Sequence, residues 1–103
     1  MDELHAKIKE VCTNLVEEVR GLKGYTAKDL AMVMTLIDAL LANANKLPME
    51  ELGKINLYIS SFGTLKMTIT QLLGYGKQME TTIKMQLENA IFAWCPAIVA
   101  AVC

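Results

Sequence analysis

A catalytic centre needs titratable or nucleophilic groups that a fold can bring together, and this chain of 103 residues offers few. His5 is the single histidine. Any serine or cysteine nucleophile activated by an imidazole would have to use it. It lies in the first turn of the first helical pattern, where chain ends fray, and that position favours an exposed or capping histidine. The cysteines are Cys12, Cys95 and Cys103, an odd number with neither the spacing of a disulfide framework nor the clustering of zinc ligands. Cys95 is followed by Pro96, and a Cys-Pro pair can ligate haem iron or a soft metal ion through its thiolate. No cationic residue stands near it in sequence to stabilise that thiolate, so Cys95 reads as a small core hydrophobe.

The carboxylates do no better. Glu17-Glu18 and Glu50-Glu51 fall at helix ends, and adjacent helical residues point in different directions. No Glu-x-x-His occurs, so the chain lacks the ligand pattern of a di-iron bundle. Gly74-Tyr75-Gly76-Lys77 leads into a helical pattern but lacks the full spacing of a phosphate loop, and reads as a helix stop and restart. Asp38 sits beside the apolar stripe of the second helical pattern, a boundary place where a lysine can pair with it. These residues predict a protein that is not an enzyme, with no cofactor and no metal.

The elements that carry these residues are helical in pattern. Leu4, Ile8, Val11, Leu15 and Val19 recur at helical spacing, with Cys12 and Val16 widening the stripe. Asp2 can cap this helix and Gly21 can stop it. Thr26 and Asp29 form a capping-box pattern, with Tyr25 and Leu30 placed as a hydrophobic staple. A second stripe follows through Leu30, Val33, Ile37, Leu40 and Ala44. Residues 47–76 can be read in two ways. As a helix, Pro48 takes the first position, and Ile55, Tyr58, Phe62, Leu65, Ile69 and Leu72 step three and four apart as an unbroken seam. As strands, residues 54–60 and 65–70 alternate apolar and polar around a turn at 61–63. The unbroken seam and the capped start favour the helix, although Gly53 and Gly63 each cost about 1 kcal/mol against alanine inside it. A fourth pattern runs through Met79, Ile83, Leu87, Ala90, Ile91 and Trp94, and Pro96 should kink it near Phe92.

Four helices joined by short loops predict an all-α, antiparallel, up-down-up-down four-helix bundle in a single domain, residues 1–103. The alternative is α+β: a helical hairpin, a small antiparallel sheet and a C-terminal helix. No linker or internal repeat divides the chain.

Composition then bounds function. The net charge of −1 and the scattered basic residues argue against nucleic acid as a partner. The charged, amphipathic start lacks the apolar stretch of a signal peptide. With unpaired cysteines, this points to a reducing, cytoplasmic setting. The apolar fraction is 53%, high for a small monomer. From Ala90 to Cys103 no residue is charged. That run is shorter than the roughly 20 residues of a membrane span, and Pro96 breaks it. A helix apolar all round is usually buried on all sides. A second copy of the chain would supply the cover that a four-helix bundle lacks.

The expected interface is therefore Ile91, Phe92, Trp94, Ile98, Val99 and Val102, with Trp94 as the anchor. Met32, Leu36, Leu57, Met67, Met85 and Phe92 lie off the main stripes and add apolar surface suited to partners. The sequence thus predicts a small non-enzymatic interaction module, an adaptor, accessory subunit or inhibitor. It would form a homodimer or higher oligomer and contact another protein. The alternative is a binder of apolar ligands or of a membrane surface.

Overall fold

The computed structural model describes residues 2–22, 27–73 and 80–102. Four helices account for nearly all of them: α1 (Asp2–Gly21), α2 (Ala27–Ala44), α3 (Met49–Leu73) and α4 (Glu80–Val102). Each helix packs on its neighbours in sequence, and α1 also packs on α4. The four thus close into a ring in which every neighbour is antiparallel, the up-down-up-down bundle. Its radius of gyration is 13.5 Å, close to the ~13 Å of a compact chain of this length.

The core follows the stripes in the sequence. Ile8, Val11, Leu15 and Val19 enter from α1, and Leu30, Val33, Ile37, Leu40 and Ala44 from α2. From α3 come Ile55, Ile59, Phe62, Leu65 and Ile69, a helical period and not an alternating one. The α+β alternative fails on this point, and there is no strand among the described residues. Tyr58 is half-buried, and Ile59 takes a core place that the seam had left out. The Leu72 side chain lies outside the described residues, as do the Thr26 cap, the Tyr25 staple, the segment 74–77 and Met79.

One boundary detail differs from expectation. Pro48 stands just before α3, and its carbonyl accepts the Leu52 N–H at 2.9 Å. Pro96 lies inside α4, which continues to Val102 as one helix. The ring removes one donor, so the Phe92 carbonyl loses its usual intrahelical partner without ending the helix.

Among the described residues no polar or charged side chain is buried. The ion pairs sit outside the core. His5 Nε2 meets Glu51 Oε1 at 2.8 Å, tying the start of α1 to the first turn of α3. His5 is thus half-buried and paired, where the sequence suggested an exposed or capping residue. Lys66 donates to Asp38, joining α3 to α2 at the boundary place expected for Asp38.

Candidate functional site

The uncharged C-terminal half of α4 is the feature that sets this bundle apart. Its six expected interface residues divide into two sets. Ile91, Ile98 and Val102 point inward, at 0%, 0% and 8% exposure, and belong to the chain's own core. They cannot meet a second copy in this fold. The physical reason is phase: Leu87, Ile91, Cys95, Ile98 and Val102 step four, four, three and four apart, which is the buried line of α4. Phe92 is 38% exposed, and Trp94 and Val99 are half-buried.

The outward side of this half is Phe92, Ala93, Pro96 and Ala100. It carries no charge. Phe92 is partly covered by Arg20 from α1, whose guanidinium carbon lies 5.9 Å from the ring centroid, a cation–π distance. Met32, Leu57, Met67 and Met85 are well exposed elsewhere, while Leu36 packs against the core.

A groove runs along each flank of α4. On the α3 side, Ser60, Ser61, Thr64 and Thr68 face Gln86, Asn89 and Trp94. Trp94 closes the end of this groove by packing edge-on against Phe62, with ring centroids 5.1 Å apart and an interplanar angle of 88°. That geometry favours an aromatic pair. It spends much of the indole inside the chain, where an intermolecular anchor was expected. The polar lining is partly spent too, since Thr64 Oγ1 donates to its own helix at the Ser60 carbonyl, 3.2 Å away.

The α1 side holds a larger groove, about 450 Å³. Val16, Pro96, Val99 and Ala100 form apolar walls, Lys9, Glu17 and Arg20 charge the rim, and Cys12 and Cys95 form the floor. Each cysteine is free and 1% exposed. Their side chains are hydrogen-bonded to each other. This bond holds the Cys12 thiol below its ordinary value against the opposing effect of burial. The same bond, then burial, then the Cys12 charge push Cys95 upward. The sequence placed both residues as core hydrophobes and gave no sign that they meet.

Among the described residues, no three His, Cys, Asp or Glu side chains gather as metal ligands. Thr82–Val102 reaches the length and hydropathy of a membrane-crossing helix, with a mean hydropathy of 1.4, and about a third of that window is buried inside the bundle. No known protein family, curated protein or solved structure matches the chain.

Proposed function

We propose that this chain is a non-enzymatic interaction module, a cytoplasmic adaptor, accessory subunit or inhibitor, that associates with a second copy of itself through the outer side of α4. The observation that supports this reading most is the outward row Phe92, Ala93, Pro96 and Ala100. Solvent-facing helix surfaces are normally charged, and this one is not. Small side chains on it let two helices approach closely, and Phe92 supplies a large rigid group at one end. The exposed Leu57, Met67 and Met85 suit a second protein on the remaining surface.

The revised interface keeps Phe92 and adds Ala93, Pro96 and Ala100, with Trp94 and Val99 at its margins. Deleting the tail would remove Ile91, Cys95 and Ile98 from the core and unfold the bundle, so the test is a surface charge. Phe92→Glu and Ala100→Glu together should leave the helical circular dichroism spectrum intact and lower the sedimentation coefficient to that of a monomer. An unchanged sedimentation coefficient would reject this face as the interface.

A second reading, binding of a membrane surface or an apolar ligand, is favoured by the hydropathy of Thr82–Val102 and by the apolar groove beside it. It requires a monomer that co-floats with lipid vesicles, and the same double substitution would abolish flotation without changing the mass.

A further inference from the structure

We propose that Cys12 and Cys95 are a redox-active dithiol, oxidised by a small hydroperoxide to a disulfide that fastens α1 to α4. Three observations carry this. Both thiols lie on the floor of one groove, at 1% exposure each. They are hydrogen-bonded to each other in an otherwise apolar core that buries no other polar group among the described residues. Third, α1 packs against α4, so the two cysteines belong to neighbouring helices that a cross-link can join.

Both sulfurs stand on the same groove floor, so the oxidation can begin at either, here at Cys12. The Cys12 thiolate attacks one peroxide oxygen. The O–O bond breaks, Cys12 becomes a sulfenic acid, and the second oxygen leaves as hydroxide and takes up a proton to become water. Cys95 then attacks the Cys12 sulfur, the S–O bond breaks, and the Cys95 proton leaves with the departing hydroxide as a second water. Two thiols lose two electrons and one hydrogen peroxide becomes two waters, so the step balances. Because the sulfurs are nearly covered, a small oxidant reaches them through the groove and a bulky disulfide such as oxidised glutathione does not. In a reducing compartment the pair rests as the dithiol and closes only under oxidant. The cross-link would join helices that are first and last in the chain and close most of the sequence into one loop, which strongly constrains the unfolded state.

The test uses the full chain with Cys103→Ser, so that only this pair carries thiols. Brief exposure to stoichiometric hydrogen peroxide under native conditions should remove about 2 Da by intact mass. A non-reducing peptide map should join the Cys12 and Cys95 peptides, and the thermal midpoint should rise by about 10 °C or more. Oxidised glutathione should react far more slowly, and Cys95→Ala should stop at the Cys12 sulfenic acid, trapped by dimedone. The proposal is overturned if both thiols stay reduced under peroxide in the folded protein. It is also overturned if oxidation proceeds only at the rate of global unfolding, or if it ends in sulfinic acid with no cross-link.

Discussion

The two flanks of α4 are built from opposite materials. Toward α3 the groove is lined with hydroxyls and amides around Trp94. Toward α1 it is lined with aliphatic side chains, with Thr13 and the charged Lys9, Glu17 and Arg20, above two thiols. The polar flank looks better suited to recognition, yet Thr64 already bonds its own helix and the indole is held against Phe62. The apolar flank adds those four side chains to its aliphatic walls, and its floor is two thiols. Polarity of a lining and availability of its groups are thus separate properties. Here the reactive pair sits on the greasier side.

Substitutions can break this contrast one flank at a time. The largest effect is expected from Phe62→Ala, which removes a fully buried ring and the edge contact to Trp94. It should cost about 3–5 kcal/mol in urea unfolding and red-shift the emission of Trp94, the one tryptophan. Cys95→Ser perturbs the other flank by burying a hydroxyl in place of a thiol. A loss of about 1–3 kcal/mol, with Trp94 emission little changed, would keep the flanks separate. Equal emission changes from both variants would show that they act as one unit.

Smaller effects bound the background. Gly63 sits inside α3, and a Cβ there would meet nothing within 4 Å. Gly63→Ala should therefore stabilise the protein by about 0.5–1 kcal/mol in the same urea titration. Asp38→Ala removes an exposed ion pair far from either groove's floor and should cost less than about 1 kcal/mol, less still in high salt. A larger loss would mean that the α2–α3 pairing contributes more than an exposed bridge usually does.

The helices and their inward stripes were legible in the sequence because a single period of 3.6 ran through each of the first two segments. The third segment carried a competing alternation, in which Lys54, Asn56 and Ser60 separate apolar residues. Burial of Ile55, Ile59, Phe62 and Ile69 shows which period wins once the other helices supply a core. The tail was the hard part. A segment apolar on every side gives no phase, so Ile91, Ile98 and Val102 looked as available to a partner as Phe92 did. The Phe62–Trp94 pairing gave no signal either, because the two rings lie on different helices. The Cys12–Cys95 contact had no local signal at all. The topology brings α1 beside α4, but only the register of the two helices puts the sulfurs at one level.

The most direct test of the proposed self-association is the solution mass of the intact reduced chain, by light scattering on a sizing column without detergent. The expected result is a closed dimer or higher oligomer that the Phe92→Glu, Ala100→Glu variant reduces to the 11.4 kDa of one chain. A well-behaved monomer for the unaltered protein at high concentration would contradict it.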